Sequence, residues 1–298
     1  MTGKYDPTDP EALARLERGV HDRPASGEAW AELAYAYREC DQNELAIELL
    51  REATRLEPKC AQHWHHLSVR LAEAEEHEAA LDAARKAAAL APKVAHILVN
   101  LGRRLLWQRK PAEAVPHLEE AIRLGRRGPE PPALLGVARF RNDDFGAAAE
   151  WLAASLRMDP DDPLLWVYLG ISLDETGRPE AAVYALETAV FATPDHGWAW
   201  GRLGKVLRAL GRHEEALQAF EKSVEHGFAP PVLWLDMGSS AADLKDLDRL
   251  RRACRELGHL DAEMAKQLRR RLRSLKAEEA AGPPAMQHGP GAPRSGAA

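Results

Sequence analysis

The sequence predicts an all-α solenoid built from tandem helix-turn-helix repeats, and three observations predict it. Slid against itself by 34 residues, the chain returns the same residue types to the same places through seven units. Within each unit apolar residues recur at helical spacing, break, and resume, as in Trp30, Leu33, Ala34 and Tyr37 followed by Ala46, Leu49, Leu50 and Ala53. The composition is folded but poor in strand formers: 45% of the 298 residues are hydrophobic, 29% are charged and only 6% are aromatic, with Trp the commonest aromatic type.

Taken in order, residues 1–8 are expected to be flexible, and residues 9–26 to form an N-terminal half-repeat helix. Its start is marked by Asp9 as cap, Pro10 at the first helical position and Glu11 in the first turn. Seven full units follow over residues 27–261. The first helix of each is marked by Trp30, Trp64, Trp166, Trp200 and Trp234, with Leu98 and Pro132 in the two units that lack Trp. Three residues later stand Leu33, Leu67, Leu101, Leu135, Leu169, Leu203 and Met237. The next place holds only small residues, Ala34, Ser68, Gly102, Gly136, Gly170, Gly204 and Gly238, which let helix backbones approach closely. Aligned alanines mark the second helix, beginning with Ala46, Ala80, Ala114, Ala148, Ala182 and Ala216, and Pro58, Pro92, Pro160 and Pro194 end it.

Departures from the pattern have predictable consequences. Arg126 and Phe228 replace the terminating proline, and Pro131 and Pro132 at the head of the fourth unit predict a first helix that starts late. In the seventh unit Leu250 and Leu257 replace small residues, which marks it as terminal. Met264, Leu268, Leu272 and Leu275 then make one apolar stripe opposite Arg269, Arg270 and Arg273, as expected of a capping helix over 262–276. Residues 277–298, rich in Ala, Gly and Pro, are expected to be a disordered tail.

These residues carry a resemblance to the tetratricopeptide repeat family, whose pattern is W-x2-L-G-x2-Y, A-x3-F and P at a period of 34. The resemblance implies a right-handed superhelical solenoid. It also implies a concave surface lined by positions 2, 5, 6, 9, 12 and 13 of each first helix, counted from Gly27 in the first unit.

Charge and leader signals narrow the function classes. The chain carries a net charge of −6, but residues 245–276 hold eleven Lys and Arg against five Asp and Glu, so the rest is strongly acidic. A mostly acidic chain does not suit nucleic acid, and the run LRRRLRSLK is read as the wet face of a capping helix. No apolar run has membrane-spanning length, and no basic segment followed by an apolar one marks the amino terminus for export, so a cytoplasmic location is expected. Cys40, Cys60 and Cys254 are too far apart for a disulfide framework, and free thiols fit a reducing compartment. Abundant Ala and an excess of Arg over Lys suggest a GC-rich bacterial genome.

The stretch CAQHWHHL, Cys60 to Leu67, resembles the start of a metal site. Register places His63, Trp64, His65 and His66 at positions 3 to 6 of the second unit, with Trp64 in the core and His65 and His66 in the groove near His96. His63 and His66 have the spacing of a helical ligand pair, yet sequence fixes no carboxylate or thiol beside them, and no HExxH occurs. No metal and no cofactor is therefore expected. Gly201 to Val206, GRLGKV, lacks the spacing of a phosphate loop. No nucleophile elbow or dinucleotide fingerprint is present, and no catalytic residue is assigned.

What remains is the groove that the resemblance implies. Its lining would be polar in the first two units and apolar in units three to five, with Val99, Leu106, Leu134, Val137, Phe140, Tyr168 and Ile171, and cationic in unit six, with Arg202, Lys205 and Arg208. Such a surface suits a protein partner, a peptide or helix carrying apolar anchors and acidic residues, and Val137 and Ile171 are expected to be exposed in the free protein. The carboxylate clamp of some family members is absent, since His65, Val69, Asn100, Glu130 and Leu134 stand where its residues should be, and only Asn100 fits an asparagine ladder. The sequence thus predicts a non-catalytic adaptor. The alternative is a regulatory subunit of a larger assembly, in secretion, motility or envelope building, that uses its convex face or basic C-terminal helix.

Overall fold

The computed structural model describes residues 10–281. Among these, sixteen helices and no strand occur. They run α1(Pro10–Asp22), α2(Gly27–Glu39), α3(Asn43–Leu56), α4(Ala61–Glu73), α5(His77–Leu90), α6(Ala95–Trp107), α7(Pro111–Arg123), α8(Glu130–Arg141), α9(Phe145–Leu156), α10(Pro163–Glu175), α11(Pro179–Ala192), α12(Gly197–Ala209), α13(His213–Glu225), α14(Pro231–Asp243), α15(Leu247–Leu260) and α16(Ala262–Ala281). The chain divides into two compact units, Met1–Arg178 and Pro179–Ala298. In the first, α1 docks on α2, each helix packs on the next through to α10, and α4, α6, α8 and α10 also meet every second neighbour. In the second, α11 to α16 pack in the same serial way.

In three repeats the small residue of the first helix has a large partner in the second helix of the same repeat. A Cβ added to Gly102 would lie 2.5 Å from Leu118 Cδ2, one added to Gly136 2.7 Å from Leu152 Cγ, and one added to Gly204 2.6 Å from Phe220. Ser68 keeps its side chain, and the facing residue in its repeat is Ala84. The core is therefore filled by complementary pairs, and Leu118, Leu152 and Phe220 are at most 1% exposed.

A second regular feature joins neighbouring repeats. The indole N–H of Trp30, Trp64, Trp166 and Trp200 donates to the carbonyl of Pro24, Pro58, Pro160 and Pro194, at 3.0, 2.9, 2.9 and 2.7 Å. This bond holds the indole at the repeat junction, so Trp64 is only half-buried, not the core residue that register suggested. Where proline is missing, glycine ends the helix instead. Gly125 and Gly227 adopt positive φ of 81° and 77°, and Arg126 and Phe228 then donate back to Ala121 and Ser223.

The turn inside each repeat needs one residue in the left-handed region. Gly177 and Gly211 fill it in two repeats, whereas Asp41, Glu75, Arg109, Asp143 and Lys245 hold φ between 55° and 61° in the others. A side chain there costs about 1 kcal/mol that glycine avoids. Glu75→Gly or Lys245→Gly is thus expected to stabilise the protein by about 0.5 kcal/mol or more after the entropic cost of glycine. Gly211→Ala should destabilise it by a similar amount, and thermal melts read both. Unchanged or lowered melting temperatures for both glycine variants would remove strain from this account.

At the ends, α8 starts one residue late, at Glu130, as its prolines require. Helix α16 continues past Lys276 to Ala281, so residues 277–281, expected in the disordered tail, are helical. Its buried side is made by Ala265 and Leu268, with Leu272 and Leu275 half-buried, and Met264 is 36% exposed and off the stripe. The Asp9 cap, the residues before it and the tail from residue 282 lie outside the described residues.

Candidate protein-binding face

In the first unit, the first helices of successive repeats touch side chain to side chain and so share one face. Tyr35 of α2 meets His66 of α4 with ring centroids 4.8 Å apart, and His65 of α4 meets His96 of α6 at 5.0 Å. Asn100 of α6 donates to Ser68 of α4 at 2.9 Å, and Arg141 of α8 donates to the Leu106 carbonyl of α6 at 2.7 Å. Phe140 of α8 packs on Tyr168 of α10 at 4.8 Å and on Phe145 at 5.6 Å.

Burial sorts the expected anchor residues into two sets. Leu134, Val137, Phe140 and Tyr168 are half-buried and retain surface. Val99, Leu106 and Ile171 are 3%, 5% and 4% exposed, so they are core and not waiting anchors. The expectation that Ile171 is exposed is thus corrected. Position 9 is a nominal groove site, and its exposure depends on the bulk of its neighbours, which register alone does not encode.

Charge on this face comes from arginines that sequence reasoning passed over. Arg70 and Arg104 are half-buried and Arg103 is exposed, and desolvation holds the pKa of each below the usual arginine range. Arg70 pairs with Glu73 and Arg103 with Glu130. The Nε of Arg104 is buried without a hydrogen-bond partner. The histidines beside them are uncharged: burial, then neighbouring His66, His96 and Arg103, lowers His65 to about 3, and burial, then Arg70, lowers His66 to about 4. In the second unit, Arg202, Lys205 and Arg208 lie half-buried on α12, and Arg208 is bound 3.0 Å from Asp236 of α14. Burial raises the Asp236 carboxyl while Arg208 and Lys205 pull it back. That cationic cluster is partly answered within its own unit.

His63 belongs to a different environment from its neighbours. It is 5% exposed, at a place where the other repeats hold Ala, Ile, Pro or Leu, and its Nε2 lies 3.0 Å from Glu57 Oε2. Glu57 also accepts from the backbone N–H of Glu28 at 3.3 Å, and the His63 hydrogen bond holds its carboxyl below the usual range. The pair His63 and His66 is therefore not a ligand pair. A carboxylate does stand beside His63, but it comes from the preceding repeat.

The second unit also has an open groove lined by Val190, Phe191, Pro194, Trp200, Leu203 and Leu207, with Glu187, Glu215, Glu221 and Glu225 around it. Phe191 is 88% and Tyr184 65% exposed on α11.

Profiles of the tetratricopeptide repeat match residues 27–71, 99–163 and 169–230. The chain belongs to the tetratricopeptide repeat family. Among sequence relatives, the peroxisomal targeting signal receptor of Eremothecium gossypii is 32% identical over 87 residues, which is 29% of this chain and 14% of the receptor. That of Saccharomyces cerevisiae is 35% identical over 68 residues, 23% of this chain and 11% of the receptor. The chain thus spans only a small part of those relatives. Among solved structures, YrrB, described as a tetratricopeptide protein with an unusual peptide-binding site, superposes with a TM-score of 0.54 at 20% identity, over 61% of this chain and 93% of YrrB. A tetratricopeptide repeat protein from Parabacteroides merdae gives 0.54 at 14% identity over 83% of this chain and 98% of its own. At such identities the likeness is one of fold. Among the described residues, no tetratricopeptide helix is long and apolar enough to cross a membrane.

Proposed function

We propose that this tetratricopeptide protein is a non-catalytic adaptor that holds a peptide or helix of a protein partner against the shared face of α4, α6, α8 and α10. The observation that carries this reading is the presence of partly exposed apolar side chains, Leu134, Val137, Phe140 and Tyr168, beside half-buried Arg70 on α4 and Arg104 on α6 of the same unit. Apolar anchors supply most of the binding energy, at about 2 kcal/mol for a good one, and the arginines select acidic neighbours. The peptide-binding site named for YrrB and the signal recognition named for the peroxisomal receptors agree in kind with this reading.

Affinity capture from the native host, read by mass spectrometry, tests it. Val137→Asp with Phe140→Ala should lose the captured partner while helicity and melting temperature stay near those of the parent. Arg104→Gln should weaken capture and reduce its sensitivity to added salt. Capture that survives the double variant rejects this face. The second reading, a contact in a larger assembly through a surface of the second unit, is favoured by Phe191 and Tyr184 on α11. It expects Phe191→Ser with Tyr184→Ser to abolish the same capture.

A further inference from the structure

We propose that Glu57, Cys60 and His63 form a binding site for a borderline divalent cation, best matched by Zn²⁺, at the junction of the first two repeats. One ligand atom from each of the three lies within 4.8 Å of the others. The 3.0 Å between His63 Nε2 and Glu57 Oε2 is already close to the edge of a tetrahedral site, where donors about 2.1 Å from the metal sit roughly 3.4 Å apart. One thiolate, one imidazole and one carboxylate form a mixed set that suits Zn²⁺ over harder cations, with water in the fourth place.

Two features point beyond a purely structural role. Cys60 occupies the N-cap of α4, where the corresponding Ser26, Asp162 and His196 use their side chains to accept a backbone N–H, yet Cys60 makes no such bond. Its half-buried sulfur is left for another task. His63 places a polar ring in a slot that is apolar in every other repeat, and its Nδ1 is buried without a partner. Glu57 alone accounts for the Nε2 contact and nothing about the thiol.

Binding is a balanced exchange. The Cys60 thiol proton leaves to solvent, His63 keeps one proton by moving it to Nδ1, and the Nε2 lone pair and Glu57 Oε2 turn from each other to the metal. With three protein donors and no hydrogen-bond partner for Nδ1, a dissociation constant on the order of 1 µM is expected, weaker than a four-ligand structural site. Sequence spacing does not reveal this set because the spacing rule looks for ligands along one helix, and Glu57 caps the end of α3 while His63 lies in α4.

The test is titration of reduced, chelator-treated full-length protein with Co²⁺, followed by displacement with Zn²⁺. One equivalent should bind with a sulfur-to-cobalt charge-transfer band, and Zn²⁺ should raise the melting temperature. Cys60→Ser should remove the band. Serine is a favourable N-cap, so this variant is expected to fold. His63→Leu, which copies Leu165 and Leu233 in the same slot, should weaken binding by about tenfold or more. His66→Ala should change neither. No saturable binding, binding without the sulfur band, or loss in His66→Ala with Cys60→Ser unaffected would each overturn the site.

Discussion

Ile171→Asp is expected to destabilise the protein by about 3 kcal/mol or more, because it places a carboxylate without a partner in a site that is 4% exposed. The same change at Val137, which holds the equivalent position one repeat earlier but is half-buried, should cost about 1 kcal/mol or less. Chemical denaturation of the two variants, with helicity measured at zero denaturant, gives the comparison directly. Equal losses would mean that the two positions share one environment and that the division of the face into core and anchor residues is mistaken.

The complementary pairs inside each repeat give the second large effect. Gly102→Ala improves helix propensity by about 1 kcal/mol, yet its Cβ would arrive 2.5 Å from Leu118 Cδ2, so a net loss of about 1–3 kcal/mol is expected. Leu118→Ala alone should cost about 2–5 kcal/mol through the cavity it leaves. Combined, the two reproduce the small-on-small combination of Ser68 and Ala84, and Gly102→Ala should then be neutral or stabilising. The double-mutant cycle therefore predicts a favourable coupling of at least about 1 kcal/mol. Additive losses would show that the glycine is not there to admit the leucine.

Most of the fold was legible because the period is strict and each recurring residue has a local cause. Trp, Leu and the small residue share one helix face, alanines mark the second helix, and proline stops it. Even where proline was missing, the substitute could have been found, since Gly125 and Gly227 stand one residue before Arg126 and Phe228. The face was less legible. Position numbers placed Val99, Leu106 and Ile171 beside Leu134, Val137 and Phe140, but only the first three are sealed by their neighbours, and that depends on side-chain volumes in adjacent helices. Arg104 was missed because position 10 is not a groove position in the family pattern. Glu57 was missed because its relation to His63 crosses a repeat boundary.

The bond between each tryptophan and the proline six residues before it bears on how such a chain can be inherited. The glycine–leucine pairs lie inside a repeat and survive any duplication that copies it whole. The indole bond straddles the joint, so a single repeat cut out at its helix ends loses it, whereas a tandem copy of any whole 34-residue period restores it at the new joint. Joints lacking one member of the pair, Leu98 after Pro92 and Trp234 after Phe228, must be held by the helix packing alone.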